Sequence, residues 1–368
     1  MSLSLVRRAA ALLALAVLPL AAQAPSHVIL VTLDGVRTQE FFGGLDTLVL
    51  NGTERQHNVG DPAALRRRWW RPTPEERRRL LMPFFWDSLA PQGLVLGNVA
   101  RGNQVLIQNR MRFSAPGYLE MFTGQAQPDV TSNDQKRYGH VTVLEHARRA
   151  LGLAREQVAL FGSWENFRWY AASDSTAVVV NAGSQAMEPA LETPRTRELA
   201  RLERRAQPIW HEARLDVFTG AMALEYLRTR HPRLMVVNFD DTDDLSHLRR
   251  YEPLLVALGG LDDFLHELWT TVQSDPRLRG RTTLIITTDH GRGRTPEDWS
   301  NHGEDVEGAQ EIWLAVIGPG TAAVGEPLGV TGVQQAAVAG TILRCLGLDP
   351  AGLAGAAPPV PGTCREAR

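Results

Sequence analysis

The chain has 368 residues, a net charge of −2 and a hydrophobic content of 43%. This length can build one large α/β domain or two ordinary ones, and the composition is typical of a soluble globular protein. Because neither charge sign is in marked excess, the composition gives no support for a nucleic-acid or membrane-surface partner.

The first 24 residues have the pattern of a secretory signal peptide. Arg7 and Arg8 form a positive region, Ala9–Leu20 is an apolar run too short to span a bilayer, and Ala22-Gln23-Ala24 is a small-x-small cleavage site. The alternative is a buried helix at the start of the fold. We therefore expect a periplasmic or secreted mature protein that begins near Pro25 and keeps no membrane segment after cleavage.

Strands alternate with helices along the rest of the chain. Apolar, β-branched runs predict strands, and amphipathic runs predict helices. The predicted strands are His27–Leu33, Gly93–Asn98, Val158–Gly162, Thr176–Asn181, Leu234–Phe239, Thr282–Thr288 and Glu311–Ile317. The predicted helices cover much of 61–90, the stretch from Ser114 to near Gly124, Val143–Leu151, much of 190–232 including Arg214–Arg230, Tyr251–Gln273 and Val333–Leu346.

This alternation predicts an α/β fold, a three-layer α/β/α sandwich around a mostly parallel sheet with helical insertions. No repeat or linker divides residues 25–368, so we expect a single domain there. The basic stretch within 61–90 could contact nucleic acid, but a mixed-charge helix that faces solvent explains it better.

Metal-binding residue types follow three of the predicted buried strands. In an open α/β sheet, ligands bind outside the carboxyl ends of the strands, so side chains delivered there lie close together. Asp243 and His247 are four residues apart, a spacing that puts both on one face of a helical turn. Turn formation and solvated loop charges are the alternative explanation for the aspartates. The side chains expected at this edge, including the loop that follows the last of these strands, are Asp34, Asp243, His247, Asp289, His290 and His302.

Ser114 is predicted to begin a helix, with Pro116 in its first turn. One interpretation is that Ser114 is only the N-cap. The other is that its hydroxyl is a nucleophile, because the positive end of a helix and its free N–H groups favour an alkoxide and a bound phosphate. The serine alone does not decide between the two.

The predicted ligand set indicates the metal. Three carboxylates and three imidazoles suit zinc, whereas an all-oxygen set would suit magnesium or calcium. Six ligands are too many for one tetrahedral ion and fit two divalent ions. Two metals about 3.5–4 Å apart can activate a nucleophile and hold both oxygens of an in-line displacement. This arrangement predicts attack on phosphorus by Ser114 and hydrolysis of the resulting phosphoserine.

Five segments resemble, in order, the motifs of the alkaline phosphatase superfamily, which includes phosphodiesterases, phosphonate hydrolases and sulfatases. They are TLDG (32–35), FSAPGY (113–118), TDDLSH (242–247), TTDHG (287–291) and NHG (301–303). The resemblance implies that Ser114 is the nucleophile and that Asn133 binds a phosphoryl oxygen. It also implies two zinc sites, one formed by Asp243, His247 and His302 and the other by Asp34, Asp289 and His290.

The chain departs from two patterns of that superfamily. Tyr118 stands where the sulfatase pattern C/S-x-P-x-R has arginine, so we do not expect Ser114 to be modified to formylglycine. No arginine stands shortly after the serine, as it does in the archetypal alkaline phosphatases. Arg112, Arg292 and Arg294 could bind phosphate in its place, although we expect these three side chains to be exposed and to form salt bridges instead.

The function expected from the sequence is that of an exported two-metal phosphoric-ester hydrolase, a phosphomonoesterase or phosphodiesterase with a small-molecule substrate. The alternatives are a sulfatase-like hydrolase and a non-catalytic metal- or phosphate-binding protein. Cys345 and Cys364 could pair in an oxidising compartment, but the sequence leaves their pairing open.

Overall fold

The computed structural model of the protein describes residues 27–52 and 61–365. The predicted signal peptide lies outside these residues, so it stays a prediction. Among the helices of the described residues, none combines the length and the apolar character that a bilayer crossing requires.

A seven-stranded sheet forms the middle of the fold. Five neighbouring strands are parallel, in the order β7-β1-β6-β4-β5, and β9 and then β2 extend the sheet beyond β7 through antiparallel pairs. The remaining three strands form a small second sheet in the order β10-β3-β8. The strands are β1 (His27–Leu33), β2 (Gly93–Leu96), β3 (Val105–Leu106), β4 (Val158–Gly162), β5 (Val179–Ala182), β6 (Leu234–Phe239), β7 (Thr282–Thr287), β8 (Glu311–Ile312), β9 (Leu314–Ile317) and β10 (Val333–Gln334).

Helices cover both faces of the large sheet. They are α1 (Thr38–Gly43), α2 (Thr47–Asn51), α3 (Pro62–Trp69), α4 (Pro74–Leu81), α5 (Ser114–Thr123), α6 (Val143–Ala150), α7 (Phe167–Tyr170), α8 (Pro194–Glu203), α9 (Asp216–Arg230), α10 (Asp241–His247), α11 (Tyr251–Ser274) and α12 (Ala337–Cys345). The start of α4 shows how local sequence begins a helix. Thr73 and Glu76 form a reciprocal capping box, and Pro74 occupies the first helical position.

Two hydrophobic cores flank the large sheet, because alternate residues of each strand face opposite sides. On β1, Ile29, Val31 and Leu33 belong to the core that also contains residues of α1, α9 and α11. Val28 and Leu30 belong to the core that contains residues of α5, α6 and α12. The predicted three-layer α/β/α sandwich with a mostly parallel sheet is therefore confirmed.

The C-terminal part differs from the prediction in two details. The predicted strand Glu311–Ile317 divides into β8 and β9, which belong to different sheets. The predicted helix Val333–Leu346 begins only at Ala337, after the short strand β10. Cys345, the last residue of α12, forms a disulfide bond with Cys364, with the two Cα atoms 5.1 Å apart. This bond ties the C-terminal tail to α12.

Candidate metal centre

The carboxyl ends of three adjacent strands deliver most of the predicted ligands. Asp34 follows β1, Asp289 and His290 follow β7, and α10 carries Asp243 and His247 directly after β6. The sixth predicted ligand, His302, comes from the loop after β7. The six side chains form two groups, in each of which the ligand atoms lie within 4.8 Å of one another. We name these groups the Asp34 site (Asp34, Asp289 and His290) and the His302 site (Asp243, His247 and His302).

Each ligand of the Asp34 site is held through one atom. Asp34 Oδ2 accepts the hydroxyl of Tyr118 at 2.8 Å, and Asp289 Oδ1 accepts the N–H of Gly35 at 3.1 Å. His290 Nδ1 lies 2.9 Å from the carbonyl oxygen of the next residue. In the neutral imidazole this contact places the proton on Nδ1 and leaves the lone pair of Nε2 for a metal.

The opposite atom of each of these side chains is buried and has no hydrogen-bond partner. His290 Nε2 lies 3.4 Å from Asp34 Oδ1 and 3.5 Å from Asp289 Oδ2. Two ligands of a tetrahedral zinc ion, each about 2.1 Å from the metal, are about 3.4 Å apart. Because buried polar atoms are rarely left unpaired in native proteins, the burial and the spacing both fit one metal ion among these three atoms.

The His302 site is more open. His247 Nε2 lies 3.0 Å from His302 Nε2 and 3.1 Å from Asp243 Oδ2. The predicted placement of Asp243 and His247 on one face of a helical turn is confirmed, because both belong to α10. Two imidazole nitrogens and one carboxylate oxygen form a donor set that zinc accepts readily and that calcium and magnesium, which prefer oxygen, do not.

Asp243 connects the two sites. Its Oδ2 contacts His247, and its Oδ1 lies 3.7 Å from His290 Nε2 in the Asp34 site. The rings of His290 and His302 are also neighbours, with centroids 4.2 Å apart. The arrangement is therefore two adjoining three-ligand sites, which fits two metal ions and matches the division implied by the family resemblance.

Arg292 is buried, against the expectation of an exposed arginine. Its guanidinium forms an ion pair with Asp243, and its Nε donates to the carbonyl of Gly35 at 3.1 Å. A Cβ atom on Gly35 would lie 2.7 Å from Asp243 Oδ1 and 2.8 Å from Arg292 Nε, and the φ of this residue is +61°. A glycine is therefore required here. Arg292 positions Asp243 and is not placed as a free phosphate-binding group.

The other two arginines considered as phosphate ligands are occupied by other partners. Arg294 pairs with Glu307 and Glu311, as expected for a salt-bridged arginine. Arg112 donates to the carbonyl of Glu304 at 2.8 Å.

The metal-free ligand set has crowded charges. Burial, followed by the charge of Asp34, raises the pKa of Asp289 to about 8. Burial alone would lower the pKa of His290, but the charges of Asp289 and Asp34 raise it to about 9. In His302, burial and then the charge of His290 lower the pKa. A divalent cation would relieve this crowding, and its binding must displace the protons held by Asp289 and His290.

Ser114 is the first residue of α5 and not its N-cap. Phe113 occupies the cap position and makes no side-chain capping bond, so the interpretation of Ser114 as only a cap is wrong. Ser114 is 6% exposed, and it lines the cleft described below. Its position at the positive end of a ten-residue helix remains as predicted.

Asn133 performs the capping that one interpretation of the sequence gave to Ser114. Its Oδ1 accepts the N–H of Ala115 at 3.0 Å. The N–H of Gly117 bonds to the carbonyl of Phe113 at 3.0 Å, and a proline between them has no N–H. The expected free N–H groups of this turn are therefore largely used. Nδ2 is the part of the Asn133 amide that is left to contact a ligand.

A cleft of about 490 Å³ opens beside these groups. Its volume lies within the range of small-molecule sites, about 300–1,000 Å³. The start of α5, the loops after α5 and β4, the segment before α9 and the start of α10 form its walls. The lining residues are Ser114, Asn133, Gln135, Trp164, Glu165, Asn166, Trp210, His211, Glu212, Ala213, Asp240, Asp243, Asp244 and His247.

Several supporting residues were missed at the sequence level. Tyr118 hydrogen-bonds Asp34, and Asn238 Nδ2 donates to that tyrosine at 2.5 Å. Gln335 donates to the backbone carbonyl of Asp289 at 2.6 Å. One signal was present, because Asn238 is a lone amide in the apolar run LMVVNF, and a buried amide needs partners.

The comparisons with known proteins agree with this geometry. A model of the metalloenzyme superfamily matches residues 219–350, the part of the chain that supplies Asp243, His247, Asp289, His290 and His302. A protein in the alkaline phosphatase superfamily from Vibrio parahaemolyticus superposes with a TM-score of 0.51 at 12% identity, over 89% of this chain and 68% of that chain. The resemblance to the alkaline phosphatase superfamily is therefore confirmed at the level of the fold. No curated protein matches the sequence.

Other solved structures share the fold of this superfamily. A 2-O GAG sulfatase superposes with a TM-score of 0.52 at 12% identity, over 88% of this chain and 71% of that chain. The phosphonate monoester hydrolase of Agrobacterium radiobacter gives a TM-score of 0.50 at 15% identity, over 88% of this chain and 74% of that chain. At these identities the likeness is one of fold, and the ester that is hydrolysed differs between the two.

Proposed function

We propose that this protein is an exported, two-zinc phosphoric-ester hydrolase of the alkaline phosphatase superfamily that acts through a phosphoserine intermediate. One observation carries the proposal. Asp34 Oδ1, Asp289 Oδ2 and His290 Nε2 are buried and unpaired around one point, and a second ligand set adjoins them. A metal ion is the partner that satisfies all three atoms at once.

When bound, two zinc ions would lower the pKa of the nucleophile and neutralise charge on the phosphoryl oxygens. The chain supplies the remaining functions. Ser114 presents its hydroxyl at the positive end of α5 and attacks phosphorus, and the alcohol of the ester leaves. Asn133 directs Nδ2 towards a phosphoryl oxygen because its Oδ1 is held by Ala115. Water then attacks the phosphoserine and restores the hydroxyl.

The loop that carries Asn133 is fixed from behind. Asn166 Nδ2 donates to the carbonyl of Asn133 at 2.8 Å, and the hydroxyl of Tyr170 donates to the carbonyl of Asp134 at 2.6 Å. A rigid loop keeps the amide in place before the substrate binds, which is the condition for effective transition-state stabilisation.

The same proposal covers substrate and location. The cleft volume supports a small-molecule phosphate ester, a monoester or a diester. The signal-peptide pattern of residues 1–24 supports export, and the Cys345–Cys364 disulfide fits an oxidising compartment such as the periplasm.

The test combines metal content with turnover of two chromogenic esters, a phosphate monoester and a phosphate diester. We expect about two zinc ions per chain and hydrolysis of at least one ester. Ser114→Ala should keep both ions and lose turnover. The control is Ser274→Ala, at an exposed serine in the last turn of α11, which should keep both.

Retained turnover in Ser114→Ala would overturn the assignment of the nucleophile. A single calcium ion without phosphate-ester turnover would overturn the proposed function. Formylglycine at Ser114, detected as a mass change in the peptide that contains it, would favour a sulfatase instead.

A further inference from the structure

We propose that the substrate of this site is a phosphate ester whose alcohol carries a positively charged ammonium group, such as an aminoalkyl or quaternary ammonium alcohol. The inference rests on the proposed function, because it assumes that a phosphoryl group is bound at the two metal sites. It concerns the part of the cleft beyond Ser114, where the alcohol portion of the ester has to lie.

The wall of this part of the cleft is acidic. Four carboxylates line it in addition to the metal ligand Asp243, and the described lining residues include neither lysine nor arginine. The four are Glu165, Glu212, Asp240 and Asp244. Two bound divalent cations and Arg292 together can compensate a phosphate and the three carboxylate ligands, but they leave this wall without a counter-charge. An alcohol portion with a negative charge would be repelled by this wall, and one with a positive charge would be attracted.

Asp244 gives the independent evidence that the wall is built for a ligand. It is only 5% exposed, and its Oδ2 has no hydrogen-bond partner in the structure. The described metal-site groups do not include it, although it lines the cleft. A buried carboxylate oxygen without a partner is costly. An aminoalkyl ammonium group in the cleft would supply a hydrogen-bond donor, and a quaternary ammonium group would supply a counter-charge.

The acidic wall is connected to the loop that holds Asn133. Gln135, two residues farther along, donates to the carboxylate of Glu165. The N–H of Glu165 in turn donates to the carbonyl of Glu212 at 2.9 Å. Glu212 Oε2 lies 2.8 Å from the ring of the exposed His211. Glu165 is therefore held by the loop of Asn133 through its carboxylate, and it is joined to Glu212 through the backbone.

Two tryptophans complete this wall. Trp164 is packed edge-on against Phe167 and Tyr170, with ring centroids 6.3 and 5.7 Å apart. Trp210 is 42% exposed, and both indoles line the cleft. Indole is the side chain that attracts cations most strongly through its ring face, and tryptophans beside carboxylates are suited to quaternary ammonium groups.

The test uses pairs of substrates with one shape and two charges. Phosphorylcholine is compared with 3,3-dimethylbutyl phosphate, in which carbon replaces the charged nitrogen, and the p-nitrophenyl diesters of the same two alcohols form a second pair. We expect kcat/KM to be at least about tenfold higher for the ammonium member of the pair that is turned over. Equal rates, or faster turnover of the neutral ester, would overturn the inference while leaving the proposed function intact. If no phosphate ester is hydrolysed at all, the proposed function fails.

Variants locate the effect. Glu165→Gln and Glu212→Gln keep the shape of the side chain and should each reduce the ammonium preference. Glu198→Gln, on an exposed face of α8 outside the cleft, is the control and should leave the preference unchanged. If all three variants keep the same preference for the ammonium ester, the assignment of that preference to this wall is overturned.

A binding measurement gives a readout that does not depend on turnover. Calorimetric titration of zinc-loaded Ser114→Ala protein with phosphorylcholine should show tighter binding than titration with the neutral ester, and equal affinities would contradict the proposal. Hydrolysis of soluble glycerophosphocholine, or of phosphatidylcholine in vesicles, would support the ammonium preference and distinguish a soluble ester from a lipid headgroup.

Discussion

The substitution Tyr118→Phe tests how the Asp34 site is held. It removes the donor to Asp34 Oδ2 and changes almost nothing else, because the ring stays and Asn238 Nδ2 keeps a second acceptor, Thr32 Oγ1, at 3.1 Å. Burial, followed by the charges of Asp289 and Asp34, raises the pKa of Tyr118 well above its usual value, so the hydroxyl remains a donor across the working pH range.

The expected loss follows from the type of bond. A hydrogen bond to a charged group contributes about 1.5–3 kcal/mol, which corresponds to about 10- to 100-fold in an equilibrium constant. Loss of a residue that orients a metal ligand has an effect of the same size. We therefore expect Tyr118→Phe to bind zinc about 10- to 100-fold more weakly at the Asp34 site, as measured by competition with a chromophoric chelator.

Tyr226→Phe is the matched control. Tyr226 is also buried, and it lies on the opposite side of the sheet from α5. Its hydroxyl donates to the carbonyl of Glu156 at 2.8 Å. This variant should lose about 1 kcal/mol of stability and no zinc affinity. Unchanged zinc affinity in a folded Tyr118→Phe protein would refute the orienting role, and equal losses in both variants would show that stability, and not ligand orientation, controls binding.

Three further predictions concern protons, packing and the tail. The apparent zinc affinity should rise from pH 6 to pH 9, because the pKa values of Asp289 and His290 are raised to about 8 and about 9 and their protons must leave before the metal binds. The same raised pKa values make the metal-free protein less stable as pH rises through this range. A zinc affinity that does not change with pH would contradict the raised pKa values. Gly117→Ala puts a Cβ 2.5 Å from the carbonyl oxygen of Asp289, so it should cost about 1–3 kcal/mol in denaturant unfolding and weaken zinc binding, whereas Gly139→Ala, which meets open space, should do neither. Reduction of the disulfide, whose cysteines are 19 positions apart, should lower the free energy of unfolding by about 3 kcal/mol, and an unchanged denaturation midpoint would show that the bond does not hold the tail.

Much of the fold was readable from the sequence because it depends on local pattern. The strands β1, β4, β6 and β7 are mostly apolar, β-branched runs, as expected for strands that are covered on both faces. The antiparallel addition of β9 and β2 was not readable, because strand direction depends on contacts between segments far apart in the chain. The division of Glu311–Ile317 between two sheets is invisible for the same reason, since all its residues are buried.

The candidate site shows a similar limit. Its six ligands were predictable because they follow buried strands or, for Asp243 and His247, share a helical turn. The residues that hold them were not, because Tyr118 and Arg292 act on ligands that are distant in sequence. The cap of α5 shows the same limit. Asn133 lies 18 positions from the N–H that it caps, so the cap that the sequence offered was the nearer residue, Ser114.

If two zinc ions are bound as proposed, the charge of their ligands and of Arg292 suits a phosphate monoester better than a sulfate ester. Two zinc ions would bring four positive charges, and the buried Arg292 that pairs with Asp243 brings a fifth. Asp34, Asp243 and Asp289 return three negative charges, which leaves a surplus of two. A phosphate monoester dianion would match this surplus, whereas a phosphate diester and a sulfate monoester each carry one charge fewer. Tyr118 fits the same proposal, because a neutral hydroxyl holds Asp34 at the position where the sulfatase pattern has arginine. The positive charge of the proposed site would therefore come from the metals and from Arg292, and not from a residue of α5.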